Sequence, residues 1–388
     1  MKNYAQGFSF YLPTKTLYEY GGIKNKLADE IKVLNTSSVL LVTDKGVLGA
    51  GLLKDVEEAL QEADITYKIF DGVEPNPSTD TCYEAYEMAK SVDAGALVAV
   101  GGGSPMDVAK TTAILMTNGG NLDDYEGFER FKNDPLPMLA IPTTAGTGSE
   151  VTPFAVITIR ARNYKMTIMS YRFLPKVAFL DPTVLMSIPP HIAASTGMDA
   201  FVHAFESFIN TVSSPITDAY GVEAMRLIGK YLRPFVANRT NKEAAGAMMV
   251  ASNLAGVAFG VARLGNVHAM AHPLGGFFNV PHGVANAILL PHVARFNMLA
   301  DTGKYKRVAE LLGEDVSRLT DSEAAPLAVE AIEKLSNDVG IPKRLSEFGV
   351  TEDKIPDMAK DAMLSGNVKI NPRSTTLQDI IDLYHAAL

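Results

Sequence analysis

Short apolar runs alternate with helical patterns through the first half of the chain. Four of these runs predict buried strands, over residues 39–43, 96–100, 138–142 and 177–180. A helical pattern over residues 55–63 lies between the first two runs. Strands that alternate with helices build a largely parallel sheet with helices on both faces, so the first half is predicted to be a doubly wound α/β domain.

The pattern changes after residues 187–190, which read Ser-Ile-Pro-Pro. From there Ala, Leu, Met and Glu recur at helical spacing, and runs of β-branched residues are few. The segments that predict helices are residues 193–209, 216–232, 244–260, 325–339 and 377–387. A chain of 388 residues has room for two domains. We therefore predict an α/β domain over residues 1–185 and an all-helical domain over residues 186–388.

Composition narrows the choice of partners and compartment. The net charge of −9 argues against nucleic acid or an anionic membrane as the main partner, because either would need a basic face. Cys82 is the only cysteine, which excludes an intrachain disulfide and a cysteine-based zinc site and suits a reducing cytoplasm. The first residues lack the apolar core of a signal peptide, and no stretch approaches the ~20 apolar residues that span a bilayer. We expect a soluble, cytoplasmic protein.

Two loops in the first half have the composition of nucleotide-binding loops. Residues 98–110, VAVGGGSPMDVAK, run from a predicted strand through three glycines into a helix, whose N-terminus attracts anions. Residues 142–150, PTTAGTGSE, also follow a predicted strand, and their hydroxyls suit phosphate or ribose. Either loop alone could be an ordinary turn without a ligand. Two such loops at strand ends of one sheet favour a bound nucleotide.

Asp44 follows the first predicted strand, at a position suited to hydrogen bonds with ribose hydroxyls. An acid there would repel the 2′-phosphate of NADP, so NAD is favoured. Asp44 precedes the glycine loop instead of following it, which rules out the standard Rossmann fingerprint. Taken by itself, an aspartate at this position is more often a turn residue.

The histidines cluster in the second half. Of the seven in the chain, none precedes residue 191, and four lie between residues 268 and 292. Asp199 and His203 are four residues apart in a predicted helix, and His268 and His272 repeat that spacing, so each pair lies on one helix face. His282 follows on a loop or helix start. One carboxylate and several imidazoles form a ligand set for zinc or ferrous iron, although any single histidine here could be a core residue.

These segments resemble the iron-containing (group III) alcohol dehydrogenases. The resemblance runs along the whole chain, through LLVTDKG, DGVEPNPS, VGGGSPMDVAK, AIPTTAGTGSEVT, TGMDAFVHAFE, the segment VHAMAHPLGGFFNVPHGVANAILLPHVARFN, and the late GIPKRLSEFGV and NPR. It implies a dehydroquinate synthase-like fold, in which an N-terminal α/β nucleotide-binding domain precedes an all-α metal-binding domain. It implies hydride transfer between a small primary alcohol or aldehyde and NAD, and a homodimer or larger homo-oligomer.

The resemblance also assigns site residues. The implied ligands of a divalent metal, ferrous iron or alternatively zinc, are Asp199, His203, His268 and His282. His272 would lie near the metal without binding it, placed for proton transfer or for contact with the nicotinamide. Apart from the resemblance, Glu206 is a candidate partner of a ligand but equally a solvated helix residue. The implied NAD-binding residues are Asp44, Asn76, Gly102, Gly103, Ser104, Asp107, Thr143, Thr144, Thr147, Lys165 and Leu180. The implied substrate pocket contains Phe154, Phe259 and Leu264.

One segment departs from the family. The propanediol- and methanol-oxidising members usually read AFNNAGLGYVH before the third ligand, whereas this chain reads AFGVARLGNVH over residues 258–268. Gly260 and Val261 replace asparagines, and Arg263 replaces a glycine. The departure makes the substrate uncertain but leaves the chemistry unchanged.

Two other functions fit the sequence less well than the dehydrogenase. A non-redox enzyme of dehydroquinate synthase type would need several Lys and Arg beside the metal, and the histidine segment is poor in both. A binding or scaffold protein that kept the fold would be expected to have lost metal ligands, whereas all four are present.

Overall fold

The computed structural model describes residues 7–162 and 164–388, which divide into two compact units. Tyr11–Ser187 form an α/β unit, and residues 7–10 join Ile188–Leu388 in a helical unit. The α/β domain and the all-helical domain predicted from the sequence are therefore both present.

The strands of the described chain all lie in the α/β unit. They are β1 Lys15–Tyr18, β2 Ser38–Val42, β3 Thr66–Phe70, β4 Ala96–Gly101, β5 Gly127–Phe128, β6 Met138–Pro142, β7 Phe154–Ile159, β8 Tyr164–Met169 and β9 Val177–Leu180. The four predicted strands are confirmed as β2, β4, β6 and β9. The prediction missed β1 and β3, which carry exposed polar residues and form the two edges of the sheet.

Helices cover the large sheet of this unit. They are α1 Gly22–Val33, α2 Lys45–Gly49, α3 Lys54–Glu62, α4 Thr79–Ser91 and α5 Gly103–Asn118. The helix predicted over residues 55–63 is α3.

Six parallel strands form the large sheet, in the order β1-β9-β6-β4-β2-β3. The chain proceeds from β2 to β3 on one side and then from β4 to β6 on the other, so the strand order reverses between β2 and β4. In open α/β sheets a ligand binds outside the carboxyl ends of the strands at such a point. The smaller sheet, β5-β8-β7, was not predicted from the sequence; its β7–β8 pair is antiparallel.

The helical unit contains α6 Pro190–Ile209, α7 Pro215–Ala237, α8 Lys242–Ala262, α9 Asn266–Phe278, α10 His282–Asn297, α11 Thr302–Leu311, α12 Asp321–Asp338, α13 Ile355–Leu364 and α14 Leu377–Ala387. The five predicted helices are confirmed as α6, α7, α8, α12 and α14. Ser214 illustrates how they begin, because its side chain accepts from the N–H of Thr217 just before the apolar face of α7 starts.

Residues 7–10 belong to a different unit from the one predicted, in which residues 1–185 form one domain. Residues 7–10 were assigned to the α/β domain by their position in the chain, yet they group with the helical unit. The reason is an aromatic contact, since Phe10 stacks on Tyr220 of α7 with ring centroids 5.8 Å apart. The other division falls between Ser187 and Ile188.

The expectation that no stretch approaches a membrane-spanning length was wrong for α8. Among residues 7–162 and 164–388, this helix alone is long and apolar enough to cross a membrane by length and composition. Of its most apolar window, 78% is buried inside the protein. Its apolar residues therefore pack as the centre of the helical unit, mainly against α6 and α7.

Candidate metal and nucleotide sites

The long helix α6 supplies the first two polar groups of a buried cluster. Asp199 and His203 lie one turn apart on the same face, as their spacing predicts, and both are almost completely buried. The aromatic ring of Phe259 stacks on the His203 ring at 4.2 Å. This contact fixes the plane of the imidazole.

Helices α9 and α10 bring the other two groups. His268 lies in the first turn of α9 and is 1% exposed, and His282 is the first residue of α10 and is exposed. Gly283 explains how α10 approaches α6 closely, because a Cβ at this position would lie 2.6 Å from the carbonyl oxygen of Ser195. Only a glycine permits this approach without displacing one of the helices.

The four side chains, Asp199, His203, His268 and His282, form what we call the four-donor cluster. One donor atom from each lies within 4.8 Å of the others. Asp199 Oδ1 is 4.0 Å from His268 Nε2 and 3.9 Å from His282 Nε2. A tetrahedral ion with bonds near 2.1 Å needs donor separations of about 3.4 Å. Asp199 Oδ1 must therefore approach each of these two nitrogens by about half an ångström, and no pair of donors in the cluster needs to close by more than about 1.4 Å. One carboxylate and three imidazoles suit a divalent transition metal, and the residues fit such an ion.

Glu206 orients one member of the cluster. Its Oε2 accepts a hydrogen bond from His268 Nδ1 at 2.7 Å, and its Oε1 accepts from the N–H of Val267 at 2.7 Å. The proton on Nδ1 leaves the Nε2 lone pair of His268 for a metal, in the carboxylate–histidine arrangement common at metal sites. Burial raises the pKa of Glu206 to about 7, against the opposing effect of its backbone hydrogen bonds. Burial and the neighbouring imidazoles hold the pKa of His268 well below its ordinary value.

His272 lies beside the cluster without belonging to it. Its ring is 5.7 Å from the ring of His282, and the residue is exposed. His191 and His385 are exposed, and His292 is half-buried, all outside the cluster. The structure thus brings together the implied ligands and leaves His272 at their edge.

In the α/β unit, the glycine loop leaves the sheet at the reversal of strand order. Gly101 ends β4 with φ 154°, and a Cβ there would lie 2.5 Å from the ring of Pro105. Helix α5 begins at Gly103, so the backbone N–H groups of Gly103 and Ser104 belong to its N-terminus, where an anion is stabilised.

The second loop lies against the first. Gly101 pairs with Pro142 at the ends of β4 and β6, and the N–H of Thr143 donates to the carbonyl of Gly101. The side chain of Thr144 is the nearest group to the place where a Cβ on Gly102 would lie, and the side chain of Thr147 is the nearest to that of Gly103. The hydroxyls predicted to line the NAD pocket are therefore adjacent to the predicted phosphate loop.

Lys110 connects the two loops, and no sequence pattern assigned it a role. It is completely buried on α5, and its Nζ donates to the carbonyl oxygens of Ser149, Thr152 and Phe154 at 2.9, 3.0 and 2.7 Å. Burial lowers the pKa of Lys110 to about 8, while the nearby carboxylates of Asp107 and Glu150 oppose that shift. The sequence contained one indication of this role, because Lys110 is the last residue of the glycine-loop segment VGGGSPMDVAK. A lysine at that position looks the same in sequence as a solvent-exposed residue of a helix.

Asp107 and Asp44 both accept hydrogen bonds from the protein itself. Asp107 accepts from the N–H of Val156 at 3.1 Å, and burial raises its pKa to about 6. Asp44 Oδ1 accepts from the N–H groups of Gly46 and Val47 and caps α2. Asp44 is therefore the N-cap of α2, a role that the sequence did not predict, and it follows the carboxyl end of β2.

The remaining predicted NAD-binding residues fall on the same edge or on the small sheet. Lys165 of β8 donates to Asn76 Oδ1 at 2.9 Å, and burial lowers its pKa. Leu180 ends β9 and is buried. Of the predicted substrate residues, Phe154 begins β7 in the α/β unit, whereas Phe259 and Leu264 belong to the helical unit.

Comparison with known proteins identifies relatives along the whole chain. Residues 13–182 match the family described as iron-containing alcohol dehydrogenase, and residues 193–388 match the Fe-containing alcohol dehydrogenase family, C-terminal. The chain is 42% identical to a 1,3-propanediol dehydrogenase of Citrobacter freundii, over 98% of each protein. It is 38% identical to an NAD-dependent methanol dehydrogenase of Bacillus methanolicus, over 98% of this chain and 100% of that one. The crystal structure of a 1,3-propanediol oxidoreductase superposes with a TM-score of 0.97 at 42% identity, over 99% of this chain and 100% of the other.

Proposed function

Because the chain belongs to the iron-containing alcohol dehydrogenase family, we propose that its four-donor cluster holds the catalytic metal. The protein is an NAD-dependent oxidoreductase that transfers hydride between a small alcohol or aldehyde and the nicotinamide. The observation that carries the metal assignment is the convergence of one carboxylate and three imidazoles within 4.8 Å. A divalent ion bound there would polarise the substrate oxygen as a Lewis acid.

The chain's own residues prepare the site for that chemistry. Glu206 holds the proton on His268 Nδ1, so that Nε2 stays available as a ligand. The exposed imidazole of His272, next to His282, is suited to exchanging the alcohol proton with solvent near neutral pH. We assign His272 the role of proton relay.

In the α/β unit, each predicted NAD contact has a chemical reason. The N–H groups at the start of α5 would bind the pyrophosphate, with Gly102, Gly103 and Ser104 closest. Asp44 would accept from the adenosine ribose. The hydroxyls of Thr143, Thr144 and Thr147, the Asn76–Lys165 pair, Asp107 and Leu180 would line the rest of the pocket.

The substrate class follows from the relatives, which act on propanediol and methanol by their names. We infer a small primary alcohol or its aldehyde, with Phe154, Phe259 and Leu264 in the pocket that selects it. Iron is the metal we propose, since it gives the family its name; the same ligands would also accept zinc. We further propose a cytoplasmic homodimer or larger homo-oligomer that uses neither nucleic acid nor membrane as a partner, in keeping with the net charge of −9.

Replacing one ligand tests the assignment. His268→Ala should lose bound metal and nearly all turnover while its NAD affinity stays close to that of the wild type, because the glycine loop lies in the other unit. Metal analysis, NADH-linked kinetics with short alcohols and aldehydes, and NAD binding would be measured on both proteins. His191→Ala, which removes an exposed histidine at the start of α6, is the matched control. Full turnover by a metal-free His268→Ala enzyme would refute the proposed mechanism.

A further inference from the structure

Asn286 lies at the centre of the four-donor cluster, although no sequence pattern assigned it there. It follows His282 by four residues on α10, so both side chains lie on one face of that helix. Its side chain is completely buried. The amide Nδ2 is 2.6 Å from Asp199 Oδ1 and 3.1 Å from both His268 Nε2 and His282 Nε2. A single atom thus contacts three of the four donors.

The chemistry of the contacts fixes which end of the amide faces the donors. Asp199 Oδ1 is an acceptor, and the Nε2 atom of His268 presents a lone pair because its proton is held on Nδ1 by Glu206. An amide oxygen in this place would face a carboxylate oxygen at 2.6 Å, whereas an N–H donates to it. The nitrogen therefore faces the cluster.

The opposite end of the same amide supports a role beyond packing. Asn286 Oδ1 is buried and has no hydrogen-bond partner among the described residues. A buried amide that only fills the core normally has partners at both ends. Here one end is left unsatisfied while the other lies within 3.1 Å of three members of the cluster, although an NH₂ group has only two hydrogens to donate.

We propose that Asn286 is a positioning residue of the metal site, whose Nδ2 orders Asp199 and the Nε2 lone pairs of His268 and His282 around a common point. The hydrogen bond to Asp199 Oδ1 is the shortest of the three, so the carboxylate is the group most directly oriented. In the metal-free protein the amide keeps these donors close together. A cation that enters takes the two imidazole lone pairs, and the amide keeps its hydrogen bond to Asp199. This proposal rests on the four-donor cluster being the metal site.

Cobalt(II) titration of metal-free protein tests the proposal, because the visible spectrum of Co²⁺ reports its coordination. Asn286→Leu should bind Co²⁺ about 10- to 100-fold more weakly than the wild type, the range expected when a partner of a ligand is lost, and with an altered spectrum. Asn297→Leu is the control, since it removes a buried amide about three turns further along the same helix. An Asn286→Leu protein with wild-type affinity and spectrum would overturn the proposal.

A second variant keeps the shape of the side chain. Asn286→Asp replaces the N–H donor by an oxygen facing Asp199, so the metal-free protein should melt at a lower temperature than the wild type. Added Co²⁺ should then raise its melting temperature by more than it raises that of the wild type. An equal rise in both proteins would count against a positioning role. If the wild type itself binds no Co²⁺ at the cluster, the metal assignment fails together with the proposal, whereas unchanged binding in the variants rejects the proposal alone.

Discussion

Gly283→Ala should weaken metal binding without touching a ligand. The added Cβ would lie 2.6 Å from the carbonyl oxygen of Ser195 and 3.0 Å from its carbonyl carbon, both backbone atoms of α6. Ordinary contact begins near 3.4 Å, so α10 must move away from α6 by about 0.8 Å. Metal–ligand distances tolerate only about 0.2 Å, and functional constellations about 0.5 Å. His282 precedes Gly283 directly and would move with it.

We expect the affinity for Fe²⁺ to fall by about 10- to 100-fold, or about 1.4–2.8 kcal/mol, as when a group that orients a ligand is removed. Competition with a chelator under anaerobic conditions would measure the affinity, and circular dichroism would verify the fold. Gly276→Ala is the matched control, because Gly276 lies in helix α9 with open space around its Cα and should gain about 0.5–1 kcal/mol of stability. Equal metal affinities in the two variants and the wild type would show that the close approach of α10 to α6 does not set the position of His282.

Three further substitutions have expected outcomes. Asp44→Gly should lower NAD affinity and raise the kcat/KM ratio of NADP to NAD, while the lost side-chain cap of α2 should cost only about 0.3 kcal/mol, because glycine is itself tolerated at an N-cap. Asp44→Ser should raise the same ratio and keep the cap, and an unchanged ratio in both variants would make Asp44 a capping residue only. His272→Ala should keep its metal but show a lower kcat and a changed pH–rate profile. If His272→Ala lost its metal while His268→Ala kept it, the roles assigned to the two histidines would be reversed. Arg263→Gly should raise the melting temperature, because Arg263 has φ 64° and ψ −165°, a conformation nearly exclusive to glycine that costs about 1–3 kcal/mol; Arg263→Lys should give no such gain, and equal melting temperatures would show that the strain is absent.

The features that could be predicted from the sequence are those in which one local pattern decides the outcome. The strands β2, β4, β6 and β9 are almost entirely buried, so nearly every residue in them is apolar and the run is visible. The edge strand β3 has only one fully buried residue, Phe70, and its pattern differs little from that of a loop. Likewise, the i, i+4 spacing of Asp199 and His203 is enough by itself to place both side chains on one helix face.

The rest depends on groups that are distant in sequence. Lys110 is buried because carbonyl groups of residues 149–154 surround its ammonium group, and nothing near Lys110 in the chain indicates this. Asn286 reaches the four-donor cluster because α6, α9 and α10 converge there, a packing that no single segment specifies. The resemblance named the four residues that converge in the four-donor cluster but not these supporting groups.

The contact between Phe10 and Tyr220 has a consequence for biosynthesis. The two rings are 210 residues apart in the chain, and the whole α/β unit is encoded between them. At a synthesis rate of about 5–20 residues per second, Phe10 leaves the ribosome roughly 10–40 s before Tyr220 does. The α/β unit can therefore fold while the helical unit still lacks most of its chain.

The contact between Phe10 and Tyr220 closes a loop of about 210 residues, which has an entropic cost. Only the packing of the complete helical unit offsets that cost. Residues 7–10 therefore pack onto the helical unit late in folding, after a part of the chain more than two hundred residues downstream has been synthesised. Deletion of residues 7–10 should loosen the packing of α7, which carries Tyr220. It should leave the large sheet unchanged, although the neighbouring strand β1 belongs to that sheet.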